Sequence, residues 1–199
     1  HFVEKHNAKE IGFISGPLTN RDACERLDAF KAALEECGIE ADEGKIAYGD
    51  FSTDSEVAIN TLLERNEHLD AIVFANDSMA VGGYNALSKR GIIPGKDILV
   101  SGFDDDVFAV SLEPPLTTVE ARAASLAYTA VLNAEKYING TAPKEIKVDT
   151  NFIQRNSCGC DDIDTKILFE RLKINGDDID IAFNPKYFMD ALKAIESEK

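Results

Sequence analysis

AIVFANDSMAVGGYNALSKRGIIPGKDILVSGF (71–103) holds a continuous apolar run, a helical pattern closed by glycine, and a second apolar run. AIVFAN (71–76) and ILVSGF (98–103) are too uniformly apolar for a strand with one wet face. Each is read as a strand buried on both sides. Asn76-Asp77 opens the helix between them and Gly91 ends it. A strand, a helix and a strand of this kind form the crossover unit of a parallel sheet.

The same unit extends upstream. EIGFIS (10–15) and KIAYGD (45–50) are further strand candidates, and the four strands start 26 to 35 residues apart, room for one helix each. In 20–37, Ala23, Leu27, Phe30, Ala33, Leu34 and Cys37 mark one face of a helix that Asn20 caps and Gly38 stops. Thr53-Asp54-Ser55-Glu56 reads as a capping box for a second helix running to about Arg65. The expected fold class is α/β: a three-layer, doubly wound, mostly parallel sheet.

Downstream the pattern changes. Pro114-Pro115 breaks the chain, Leu116–Val119 is β-prone, and 120–138 is an Ala-rich helix ending at Asn139-Gly140. EIKVDTNFIQR (145–155) reads as a longer strand. Cys158-Gly159-Cys160 looks like a boundary, which divides the chain into 1–157 and an appended α+β segment, 158–199. Within that segment IDIAF (179–183) is strand-like, and Asn184-Pro185 leads into the amphipathic run YFMDALKAIE (187–196).

Composition bounds the function. The 199 residues are 44% hydrophobic and 29% charged, enough to bury a core. A formal charge of −15 repels phosphate backbones, so direct nucleic-acid binding is not expected. No apolar run approaches the roughly 20 residues of a membrane span, and HFVEKHNAKE (1–10) is no signal peptide. Four cysteines in a chain of this length make no disulfide framework, and a reducing, cytoplasmic setting fits.

In open α/β sheets ligands bind at the carboxyl ends of the strands. The loops there present Asn20, Asp22 and Arg26, then Asp50 and Phe51, then Asn76 and Asp77, then Asp104, Asp105 and Asp106. An arginine fork, an aromatic face, an amide and carboxylates suit a polyhydroxylated or heterocyclic small molecule. Each also has a plainer use: Asn76, Asp77 and Asp104 as caps, Arg26 in a surface ion pair, Phe51 in the core. Glycine-rich nucleotide loops are absent, so no cofactor is expected. His1, His6 and His68 lie far from Cys158 and Cys160 in sequence, which argues against a zinc site. Clustered Asp104–Asp106 raises an enzymatic rival, a receiver-like phosphoryl-transfer domain holding Mg²⁺. That chemistry also wants an acidic pair on the first strand, which instead ends in Ser15-Gly16-Pro17.

At these loops the chain resembles a known family. HFVEKHNAKEIGFISGPLTNRDACERLDAFKAALEECGI, GDF, FANDSMAVGGYNALSKRGIIPGKDILVSGFDDD and PPLTTVEARAASLAYTAVLNAEKYING are similar to the ligand-binding region of LacI/GalR-type transcriptional regulators, over about 1–157. The resemblance implies a periplasmic-binding-protein-like fold and a non-enzymatic role, with a sugar or nucleobase effector held between two lobes. It implies an effector-gripping Arg26, a stacking Phe51, polar contacts from Asn76 and Asp104, and ligand-dependent contacts from Asn20 and Asp22. It also implies homodimer formation. Against that family the chain carries no DNA-binding head and lacks most of the N-terminal lobe. Its Asn-Ser-Cys-Gly-Cys ending (156–160) resembles sensors coupled to signalling domains. The tail, 173–199, is similar instead to a strand-plus-helix piece of the bacterial DNA polymerase sliding clamp, so a chimeric or scaffold fragment without retained ligand function is the other expectation.

Overall fold

The first strand of the sheet, β1 (Ile11–Ser15), is buried at all five residues, as a strand covered on both faces must be. It lies inside a four-stranded parallel sheet with β2 (Ile46–Tyr48), β3 (Ala71–Phe74) and β4 (Leu99–Ser101), in the order β2-β1-β3-β4. The registers, Phe13 opposite Ile46, Ile11 opposite Ala71 and Ala71 opposite Leu99, are all parallel. The computed structural model describes residues 1–141 and 147–160. The sequence reading of 161–199, including its strand, its proline-led helix and its likeness to a clamp fragment, lies outside the described residues. By compactness the chain divides into His1–Ile163 and Asp164–Lys199.

Three helices form the crossovers: α2 (Arg21–Glu36), α3 (Glu56–Arg65) and α4 (Asp77–Lys89), while a one-turn α1 (Phe2–His6) precedes β1. Asn20 caps α2 by accepting from the Asp22 and Ala23 amides, and Asn76 caps α4 by accepting from Met79. The expected capping box at Thr53–Glu56 does not form. Ser55 caps nothing; its buried hydroxyl donates to the Met79 carbonyl at 2.7 Å, docking the loop against α4. Gly82 permits that approach, since a Cβ there would collide with Ser55 and the Thr53 carbonyl.

The core between sheet and helices is built on Ile14, Ile46, Ile59, Leu62, Ile72, Phe74, Met79, Leu87 and Val100. A second cluster joins Phe2, Ala8, Ile11, Leu34 and Ala71 to Cys158 and Cys160. The sequence alone assigns no element to 1–9, yet α1 forms there, with Phe2 inserted into this cluster.

The expected strand at 145–155 is shorter. Only β6 (Asn151–Ile153) is extended and paired, antiparallel to β5 (Thr118–Glu120), as a two-stranded ribbon joined to the end of β4 through a parallel bridge between Ser101 and Thr117. Its neighbours 147–150 are mostly exposed, so no buried face holds them in a ladder. The Ala-rich helix is α5 (Ala123–Ile138), which begins after Arg122 at a positive φ. It leaves Leu126, Tyr128, Val131, Leu132 and Ile138 exposed. No helix among the described residues is long and apolar enough to cross a membrane.

Candidate functional site

Chain order and sheet order reverse at β1 and β3: from β1 the chain moves to β2 on one side, then returns to β3 on the other. In open α/β sheets the loops leaving the carboxyl ends of strands at such a point mark the ligand-binding edge. Arg26, on the second turn of α2, reaches this edge. Its guanidinium donates to the Ala75 carbonyl, just past β3, and to Asp104 Oδ1 at 3.0 Å. The Phe103 ring centroid lies 4.1 Å from Arg26 Cζ and that of Phe51 5.9 Å away, so the cation sits among π faces.

The other loop residues join this group. Asn76, while capping α4, donates through Nδ2 to the Phe51 carbonyl at 3.1 Å. Gly16, after β1, lies under the Phe51 ring, where any Cβ would collide with it. Phe51, Asp104 and Asp105 have φ of 66°, 109° and 54°. Left-handed backbone at non-glycine residues costs on the order of 1–3 kcal/mol each and clusters at functional sites. The surroundings that hold it are visible: the Asp104 amide donates to Val119, and Asp105 pairs with Arg155 at 2.6 Å.

Burial raises the Asp104 carboxyl above its ordinary value; Arg26 opposes the shift, and Asp106 and Asp22 add to it. Asp22, exposed on the first turn of α2, therefore belongs to the same electrostatic field. Behind this layer Asp77 is fully buried, accepting from Thr118 Oγ1 at 2.6 Å and from the Asp106 amide at 2.8 Å. Burial pushes its carboxyl up to about 6.

The structure thus brings Arg26, Phe51, Asn76 and Asp104 into one bonded group, with Asp22 nearby in charge. Asn20 holds the start of α2 in place through its capping bonds. Asp50 turns aside to its own loop, accepting from Ser52. Sequence reasoning missed Phe103, the aromatic nearest the cation. The signal was its position immediately before Asp104, at the end of the ILVSGF run. The arrangement can fork across two ligand oxygens, accept from hydroxyls and cover an apolar ring face.

Residues 1–158 match the periplasmic-binding-protein-like domain family. The chain belongs to that family. Among its relatives are LacI-type regulators. It is 32% identical over 152 residues to the HTH-type transcriptional regulator CelR of Thermobifida fusca, covering 75% of this chain and 45% of CelR. It is 38% identical over 120 residues to the HTH-type transcriptional repressor PurR of Vibrio atlanticus, covering 60% of this chain and 36% of PurR. The solved complex of the regulator CelR with cellobiose superposes with a TM-score of 0.71 at 28% identity, over 78% of this chain and 48% of that one. The chain spans less than half the length of the curated relatives it matches. The periplasmic-binding-protein-like architecture that the LacI/GalR resemblance implies is therefore present here.

Proposed function

We propose that this chain is the effector-contacting lobe of a LacI-type sensor, and that it binds a sugar or nucleobase-like ligand without catalysing a reaction. One observation carries the reading. Arg26 is clamped between the Ala75 carbonyl and Asp104 where chain order reverses, using two of the roughly five N–H donors of a guanidinium. A ligand placed against it meets a fork of donors, a carboxylate and the faces of Phe51 and Phe103. Asn20 and Asp22 rim the same opening and set which ligand fits.

In the whole protein a second lobe would close over the ligand. Differential affinity for the closed state then shifts the population, and a regulatory partner responds to it. A homodimer of such lobes, in a reducing cytoplasm, belongs to the same reading; the four thiols of Cys24, Cys37, Cys158 and Cys160 are free, as that compartment keeps them. The phosphoryl-transfer alternative is disfavoured by how the carboxylates are spent: Asp104 on Arg26, Asp105 on Arg155.

A thermal-shift panel of cellobiose, monosaccharides and nucleobases tests the proposal. The expected result is saturable stabilisation by one chemical class, about 2.7 kcal/mol at roughly 100 times Kd. Arg26→Ala and Asp104→Ala should each abolish it while keeping a cooperative transition. A sharp transition that no compound moves would instead support a stable fragment without ligand function.

A further inference from the structure

Cys158 and Cys160 are separated from His1 and His6 by about 150 positions, yet the fold brings all four side chains to one point. The turn that carries the cysteines is fixed from several sides. Gly159 adopts a φ of 78°, which lets Cys158 and Cys160 flank a tight bend, and its amide donates to Asn156. Asn156 Nδ2 donates to the Cys160 carbonyl at 3.2 Å. Ser157 donates to the Val100 carbonyl and accepts from the Thr117 amide, both at 2.7 Å, anchoring the turn to β4 and to the residue just before β5. Opposite, α1 is held by buried Phe2 and closed by the left-handed cap at Asn7. Phe152 packs on the His1 ring at 4.9 Å between centroids.

Cys160 Sγ lies 3.3 Å from His6 Nε2 and 3.7 Å from His1 Nε2, and the four ligand atoms are all within 4.8 Å of one another. Bonds of about 2.3 Å to sulfur and 2.0–2.1 Å to nitrogen at tetrahedral angles require donor separations of about 3.3–3.8 Å. The two sulfur–nitrogen distances already fall in that window. Two sulfurs and two imidazole nitrogens are also the donor set that borderline-soft zinc prefers over calcium or magnesium. The cysteines are buried while His6 is half-buried and His1 exposed, which leaves one side for a metal ion to enter.

We propose that His1, His6, Cys158 and Cys160 form a structural Cys₂His₂ zinc site. Zinc binds the two imidazoles as neutral ligands through Nε2 and the two sulfurs as thiolates. Two thiol protons pass to solvent, and the charge of the ion is balanced. Four protein ligands close the coordination sphere, so the site staples rather than catalyses. It ties α1, ahead of β1, to the turn after β6. The crevice around Arg26 lies at the other, carboxyl end of the strands.

The test uses the full chain, purified without a metal-affinity matrix, stripped of metal and kept reduced. Cobalt(II) titration should give one equivalent bound, with a thiolate-to-cobalt charge-transfer band and the intense visible bands of a tetrahedral site, all displaced by zinc. The double variant Cys158→Ser/Cys160→Ser should lose the charge-transfer band. Cys158 is fully buried, so His6→Asn serves as the variant that keeps the metal-free fold. It should weaken zinc affinity by more than about 100-fold, the upper range for disturbing a ligand's support, and lose the zinc-induced rise in Tm. Absence of the charge-transfer band at equimolar cobalt would overturn the proposal. So would its persistence in the double variant, or unchanged zinc affinity in His6→Asn.

Discussion

Arg155 and Asp105 illustrate how much of this site depends on single side chains. Their charged groups meet at 2.6 Å with side chains 5% and 0% exposed, and Arg155 also donates to the Leu116 carbonyl. Replacing one partner of a buried pair leaves a charge in a poor solvent, at a cost of about 3–5 kcal/mol. Arg155→Met should lower stability by that amount in urea titrations, with Asp104 and its strained neighbour losing their fixed position. Asp77 gives a pH signature of the opposite kind from most carboxylates. Its folded pKa, about 6 through burial, lies above the ordinary 3.8, so folding takes up a proton between those values. The stability this contributes is complete below pH 4 and is lost as pH rises through about 6, on the order of 3 kcal/mol. Relative to Asp77→Asn, the natural chain should therefore lose stability from pH 4 to 6, followed by chemical denaturation across that range. A difference between the two that does not vary with pH would show that Asp77 does not titrate there.

At the scale of elements, the helix starts separate side chains with a local task from those with a distant one. Asn20 accepts two amide donors at the head of α2, and Asn20→Ala should cost about 1 kcal/mol, seen as a lower Tm with the Arg26–Asp104 pair unchanged. Ser55 has the right position for the same task but spends its hydroxyl on Met79, a partner 24 residues away that no local pattern announces. The strands β1 to β4 were legible because burial, complete in β1 and predominant in the sheet's interior, writes itself as a largely apolar run. The 145–155 segment was overread because a one-sided ribbon alternates only where it has a partner, and β5 supplies three residues of pairing. The one-turn α1 carries a single buried apolar residue and so left no periodicity to find. Likewise Arg26, early in the helix after β1, and Asp104, after β4, could be brought to one edge by chain order, whereas the His–Cys cluster could not. Its halves lie at opposite ends of the family match, although the four residues between His1 and His6 fall within ordinary zinc-ligand spacing.

For the whole molecule, the chain meets its relatives over less than half of their length, and α5 carries several exposed apolar side chains. Tyr128, Val131, Leu132 and Ile138 share one side of the helix and Leu126 lies on the opposite one, all exposed among the described residues. The carboxyl end of β4, by contrast, is closed by residues that come much later in the chain. Thr117 Oγ1 donates to the Arg155 carbonyl and accepts from the Arg155 amide, while Ser157 links Val100 to Thr117. These bonds join residues about 40 to 57 positions apart, and the contacts of α1 with Cys160 span more than 150. A ribosome delivers the beginning of the chain first, so α1 and the far side of β4 wait with unfilled partners until residue 160 has emerged. Such late, long-range closure slows folding. The half-made domain is thus at its most vulnerable just before the Cys158–Cys160 turn arrives.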